Sequence, residues 1–177
     1  MTIEQDLQET ISFLQDFIDQ ADLGLSVEPL SHDDFEALVR DERTVLNWIC
    51  MHGHYLHDDS FHLGFRLVSE SKLDGAMLGV YASSDEKLHI FLMESLVRDD
   101  RFHPLNGRLT TLVVIAATYF LALREGIGAY VVQPHEHLVQ HYELFGFEAT
   151  TVGNLAMYAS YEALQEAQQR IMSELLN

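Results

Sequence analysis

The feature that most constrains this chain is a change of hydrophobic period along it. Phe61, Leu63, Phe65 and Leu67 alternate with His62, Gly64 and Arg66, and the turn-like Lys72, Leu73, Asp74 and Gly75 follow. Strict alternation puts every apolar side chain on one side of a pleat, which suits a half-buried strand and not a helix. The pattern predicts a return strand over 76–82, a second turn at 83–86 and a third, almost continuously apolar strand over 88–97. Turns this short join antiparallel neighbours. The period then becomes helical: Leu109, Leu112, Val113, Ala116, Ala117, Phe120 and Leu121 mark one face of a long helix. Arg124 falls in its last turn and Gly126 just past its end.

The flanking segments fill in the architecture. Ile3, Leu7, Ile11, Leu14 and Ile18 predict an amphipathic helix over 3–21, ended by Gly24, with an extended piece over 25–30 after it. Ser31, with Asp34 three residues on, reads as the N-cap of a helix carrying Phe35, Leu38 and Val39, and a second helical run is expected over 45–56. A short buried strand is expected over 129–132, and then a helix from Pro134 to Leu144 that Gly146 closes. A strand pair over 147–152 and 155–160 and an amphipathic helix over 161–176 complete the chain. No repeat, linker or low-complexity stretch interrupts the pattern, so we read one α+β domain over 1–177. The amphipathic terminal helices are compatible with a homodimer and equally with packing onto their own domain.

Charge narrows the partners. The formal charge of −18 opposes binding to nucleic acid and to anionic membranes, and a solvated, self-repelling surface explains it without any partner. Cys50 is the single cysteine, which excludes an internal disulfide and fits a reducing cytosol. It falls within an apolar helical pattern and is expected to be a core thiol. The N-terminus is acidic and polar, unlike a signal peptide, and the greasiest stretch, 112–123, is too short to span a bilayer. A soluble cytoplasmic protein is the expectation.

Two segments carry a resemblance to a known family. Residues 94–109 with the helix after them, and residues 135–147, follow the order and spacing of the GNAT superfamily of acyl-CoA-dependent N-acyltransferases. The second segment resembles the pattern Asn-x-x-Ala-x-x-x-Tyr-x-x-x-Gly-Phe, with Tyr142, Gly146 and Phe147 matching and His135 in place of Asn. The resemblance spans about 25–160, so the helices at 1–22 and 161–177 become additions to an acetyltransferase-like core. It implies a mixed, mostly antiparallel central sheet flanked by helices. It also implies acetyl transfer from acetyl-CoA to a primary amine by direct attack, the amine belonging to a small molecule or to a protein lysine or N-terminus. The acidic surface favours a cationic acceptor. The alternative is a catalytically silent GNAT-fold binding module that has lost acetyl-CoA binding.

The site chemistry can be stated physically. Successive backbone N–H groups that open a helix form an anion nest, and the helix dipole adds partial positive charge, so a pyrophosphate suits that place. Asn106, Gly107, Arg108, Leu109 and Thr110 supply such a run. Residues 98–108 carry net charge +1 in a chain whose remainder carries −19. The loop departs from the family's Arg or Gln, two residues, Gly, one residue, Gly or Ala. With the helix face kept in phase, Pro104, Gly107 and Leu109 take those positions. Pro104 brings no N–H, and Leu109 brings bulk where phosphate approaches backbone.

Acyl transfer needs a deprotonated amine, a donor for the developing oxyanion and an acid for the leaving thiolate. Glu94 is the one charge between Ile90 and Val97 and is a candidate general base, working through water; its other reading is an ion pair with an Arg such as Arg66, or exposure at the strand end. Tyr142 resembles the family's general acid; its other reading is a ring packed in the core with a hydrogen-bonded hydroxyl. By resemblance, the thioester carbonyl meets a backbone N–H near Leu96, Val97 and Arg98, and His135 joins the cofactor contacts. His52, His54, His57 and His62 with Asp58 and Asp59 form a cluster of metal-ligand types without a standard metal motif, and His137 and His141 share a helical spacing. Solvated or hydrogen-bonded histidines are the default for both groups, so no metal is expected. The cluster falls near the acceptor side.

Overall fold

The computed structural model describes residues 2–150 and 156–177. Helix α1 (Ile3–Gln20) opens with a reciprocal Thr2/Gln5 capping box and leads into β1 (Leu25–Glu28). Helix α2 (His32–Arg40) begins at Ser31, whose hydroxyl accepts the Asp34 N–H while the Asp34 carboxylate accepts the Ser31 N–H. Strands β2 (Ser60–Leu67), β3 (Gly75–Ala82) and β4 (Lys87–Ser95) follow, all paired antiparallel as their alternation predicts. Helix α4 (Leu109–Arg124) and β5 (Gly128–Val132) make the one parallel step, against β4. Strands β6 (Glu148–Ala149) and β7 (Ala156–Ser160) and helix α6 (Tyr161–Leu176) close the fold. The seven strands lie in the order β1-β2-β3-β4-β5-β7-β6.

Each face of the sheet has its own core. On one side Leu7, Leu14 and Ile18 of α1, the apolar positions of α4 from Leu109 to Leu121 and Leu164, Ala167 and Ile171 of α6 pack on Phe61, Phe65, Leu88 and Val131. On the other, Phe35, Leu38, Trp48 and Tyr55 cover Ala76, Leu78, Leu92 and Leu96. The terminal helices therefore bury their apolar faces on their own domain: Phe13 of α1 stacks on Tyr119 of α4 with ring centroids 4.1 Å apart. Helix α4 is buried on more than the face its period marks, since Val114, Ile115 and Thr118 are also enclosed between α1 and α6. The buried Thr118 hydroxyl donates to the Val114 carbonyl, which satisfies it within the helix. No helix among the described residues is long and apolar enough to cross a membrane.

Several local expectations are corrected. The helix expected over 45–56 is a 3-10 turn (Ile49–Met51) running into a one-turn helix, α3 (His52–Tyr55), and only Trp48 and Tyr55 of this stretch are buried. Cys50 is exposed and is not a core thiol. The helix expected from Pro134 is a 3-10 turn (Glu136–Leu138) followed by α5 (Val139–Glu143). The left-handed residue ending α4 is Glu125, with φ 54°, and not Gly126. A Cβ at Gly126 would come within 2.5 Å of Leu121 Cδ2, so packing selects that glycine. Of the expected final strand pair the described residues show Glu148–Ala149 and Ala156–Ser160, and 151–155 lie outside the described residues.

Candidate active site

A bulge in β4 sets the geometry of the site. The β3–β4 register passes from Leu78↔Leu92 to Gly79↔Ile90, so Phe91 is an extra residue on β4. Gly79 is required opposite it, since a Cβ there would lie 2.7 Å from the His89 carbonyl oxygen. The extra residue reverses the alternation. Leu88 and Ile90 face the α4 core, whereas Leu92 and Leu96 face the α2 side, and Glu94 goes with them. Parallel pairing of β4 with β5 ends at the same place, at Ile90↔Val131, and the strands have no further register beyond it.

Glu94 is 4 % exposed and engaged on all sides. Its carboxylate accepts the Val45 N–H at 2.6 Å, the Leu46 N–H at 3.3 Å and the Trp48 indole N–H at 2.8 Å, and Arg98 Nη1 lies 3.6 Å away. This anchors residues 45–48 to β4 and explains why that stretch is not helical. The ion-pair partner is Arg98; Arg66 pairs with Asp34 instead. Arg98 also donates to the Ser95 and Arg43 carbonyls, so its guanidinium braces the two loops and is committed there.

The loop before α4 is braced from within. The Asn106 side-chain amide donates to the carbonyls of Val97, Arg98 and Asp100, and Arg108 Nη1 donates to Pro104. The N–H groups of Asn106 and Arg108 are used by His103 and Leu105 carbonyls. Among the described residues no acceptor is found for the N–H groups of Gly107, Leu109, Thr110 and Thr111, and α4 has no side-chain cap. Gly107 has φ +74° with open space where a Cβ would stand, a conformation that aligns such groups. Four residues thus present N–H groups without an acceptor among the described residues, Thr111 being one that the sequence did not mark, while those of Asn106 and Arg108 are engaged. The Leu109 side chain is 7 % exposed and points into the core, so its bulk does not crowd the nest.

Two residues that sequence reasoning missed hold this loop down. His103 Nε2 lies 3.0 Å from Asp74 Oδ2, both side chains being 7 % exposed, and His103 Nδ1 accepts the Leu105 N–H. Neither residue belongs to a recognisable motif; the signal was a polar pair at the turn before β3 and in a loop, visible only once the chain is folded. Two of the three expected oxyanion donors have acceptors within the chain. The Leu96 N–H donates to the Asp74 carbonyl, and the Val97 N–H reaches Ser95 Oγ at 3.4 Å. Alternation therefore turns the N–H groups of Met93 and Ser95 toward the side from which β5 has diverged.

Tyr142 lies against the α4 core, on the opposite sheet face from Glu94. It is 5 % exposed, and burial pushes its phenol up to about 12, so the hydroxyl keeps its proton at neutral pH. No hydrogen bond to that hydroxyl occurs among the described residues, and Phe147 packs edge-on to the ring. His141 Nε2 lies 3.0 Å from Thr110 Oγ1, which ties α5 to the nest, and burial lowers its imidazole. His135 is exposed and caps the 3-10 turn, its Nδ1 accepting the His137 N–H.

The histidines of 52–62 are dispersed. His54 stacks on Phe91 at 4.1 Å, His52 packs on Phe35, and His57 Nδ1 accepts the Asp59 N–H. His62 Nδ1 accepts the Leu30 N–H at 2.9 Å, and burial lowers its imidazole to about 4. Among the described residues no three His, Cys, Asp or Glu side chains converge as metal ligands.

No protein-family model matches the chain, and no curated protein does. Solved structures do match. The ribosomal-protein-S18-alanine N-acetyltransferase from Escherichia coli aligns over 77% of this chain and 94% of its own, with TM-score 0.55 and 13% identity. The paia N-acetyltransferase from Thermoplasma acidophilum, in complex with coenzyme A, aligns over 77% and 99%, with TM-score 0.54 and 15% identity. A spermidine N-acetyltransferase chimera from Vibrio cholerae and hSSAT aligns over 80% and 98%, with TM-score 0.57 and 12% identity. With the seven-stranded order, the bulged β4 and the strands that part beyond it, the chain has the fold of the GNAT acetyltransferases.

Proposed function

We propose that this protein is an N-acetyltransferase that moves an acetyl group from acetyl-CoA to a primary amine by direct attack. The observation that carries the reading is the run of N–H groups at Gly107, Leu109, Thr110 and Thr111, which have no acceptor among the described residues and open a buried helix. Together with the helix dipole they suit a pyrophosphate. The loop is held ready by Asn106 and by the Asp74–His103 pair, so little ordering is left to be done on binding.

Acetyl-CoA supplies an activated thioester; the residues of this chain position it and handle protons. The nest fixes the diphosphate, and the Met93 and Ser95 N–H groups face the place where β4 and β5 part, as donors for the thioester carbonyl. Tyr142 stays protonated, because burial disfavours its phenolate, and its hydroxyl is the hydrogen-bond donor offered to the leaving thiolate. Glu94 fixes the acceptor-side segment at 45–48, and any base role for it runs through water to the amine. The amine class rests on the fold relatives, which include a spermidine and a ribosomal-protein-alanine N-acetyltransferase. The net charge of −18 favours a cationic acceptor.

Calorimetry of untagged protein with acetyl-CoA, beside dephospho-CoA, tests this reading. One-to-one binding in the micromolar range is expected. Tyr142→Phe is expected to slow turnover by about 10²-fold with acetyl-CoA affinity retained. Absence of binding at millimolar ligand would leave the silent GNAT-fold module as the surviving reading.

A further inference from the structure

Lys87, at the start of β4, lays its ammonium over two tyrosine rings at once. Its Nζ is 5.3 Å from the ring centroid of Tyr130 and 5.3 Å from that of Tyr158. Both tyrosines project from the sheet face opposite α4 and α6, because their neighbours Ala129, Val131, Met157 and Ala159 are the residues in the α4 core. The two rings are tilted together with centroids 5.0 Å apart, and His89, with Asp85 on its Nε2 at 2.9 Å, lies 5.2 Å from Tyr130. Glu148 of β6 stands in register with Tyr158. His89, Tyr130, Val132, Glu148 and Tyr158 line a depression of about 560 Å³. None of these residues has a part in the chemistry described above.

We propose that the Tyr130–Tyr158 ring pair is a seat for an alkylammonium group of the acceptor, with Lys87 as its resident competitor. This deepens the N-acetyltransferase reading and rests on it for the seat's use in turnover. The faces of tyrosine rings attract cations, and two rings sharing one cation define a position more sharply than one. That Lys87 already sits there shows that the spacing accommodates an ammonium. Asp85 and Glu148 add negative potential at the rim. Val132, on the wall of the depression, follows Val131, the last β5 residue paired with β4. An amine with a second cationic group thus has its distal charge held beside the gap where acetyl transfer is proposed.

The test is calorimetric titration of 1,4-diaminobutane into the full untagged chain without acetyl-CoA, comparing wild type, Lys87→Met, Tyr130→Leu and Tyr130→Phe. Lys87→Met is expected to tighten diamine binding about fivefold, because it removes both the competitor and a like charge. Tyr130→Leu is expected to weaken binding about fivefold or more, and Tyr130→Phe, which keeps the ring face, to bind like wild type. If Lys87→Met binds no tighter, or Tyr130→Leu binds as well as wild type, or wild type binds no diamine, the seat is overturned. A lysine-containing tetrapeptide amide is the second arm: tighter diamine identifies a free polyamine, and tighter peptide identifies a lysyl side chain. Acetyl-CoA is titrated separately into the same proteins. Coenzyme binding without a diamine response removes the seat and leaves the enzyme reading standing; the reverse result removes the enzyme reading alone.

Discussion

Residues 45–48 and residues 107–111 both offer backbone N–H groups near the far end of β4, and they meet opposite fates. In the first segment the Val45 and Leu46 N–H groups, with the Trp48 indole, converge on the Glu94 carboxylate. In the second, Gly107, Leu109, Thr110 and Thr111 find no acceptor among the described residues. The chain supplies an anion for one nest and, among the described residues, none for the other. The two are mechanically joined, since Arg98 donates to the Arg43 carbonyl while standing beside Glu94, and Arg43 lies 3.8 Å from the Asp74 that holds His103. A buried N–H without an acceptor is costly, so the filled nest contributes to folding, whereas Gly107 is exposed and Thr110 and Thr111 are half-buried, which leaves the open one within reach of solvent.

The largest test of this contrast is Glu94→Ala. It strips three donors of their acceptor and leaves Arg98 without its carboxylate, which is expected to cost about 4 kcal/mol of stability. Denaturant midpoints measure it, and an unchanged midpoint would break the comparison. Acid should also attack the self-satisfied side. His62 is neutral in the fold because burial lowers it to about 4, and its Nδ1 accepts the Leu30 N–H. The unfolded chain takes up that proton near pH 6.5. Stability is therefore complete above about pH 6.5 and falls progressively toward pH 4, by about 3 kcal/mol, and melts run across that window with His62→Gln as control check it.

The open nest is probed by ligand and not by stability. Inorganic pyrophosphate or acetyl-CoA is expected to shift the amide resonances of Gly107, Leu109, Thr110 and Thr111 and leave Val45 and Leu46 in place. Movement of the second set alone would reverse the assignment. The smallest effect is that of Gly107→Ala: a side chain at φ +74° costs about 1 kcal/mol, and acetyl-CoA affinity should fall about threefold as the nest loses alignment.

Much of the framework was legible because it depends on local period. The alternation at 61–67, the Ser31/Asp34 cap and the helix face from Leu109 to Leu121 each appear in the structure as read. What escaped were consequences of contacts distant in sequence. The helix expected over 45–56 yields because Glu94, some 48 residues on, takes its first N–H groups. Leu109 looked obstructive at the nest and is harmless because its side chain turns into the core. Asp74 and His103 carry no motif, and a fold that joins partners 29 positions apart was needed to bring them together.

By itself, the sequence determined the element order, the antiparallel meander, the buried crossover helix and the acidic charge. Those follow from side-chain periodicity and composition, which act within a few residues or as simple sums. Tertiary structure alone decided which N–H groups the Glu94 carboxylate takes, which face Glu94 and Tyr142 occupy and where Lys87 rests. One inserted residue, Phe91, reverses the alternation of everything after it and parts β4 from β5. A bulge exists only relative to the strand beside it, so no local pattern could announce it.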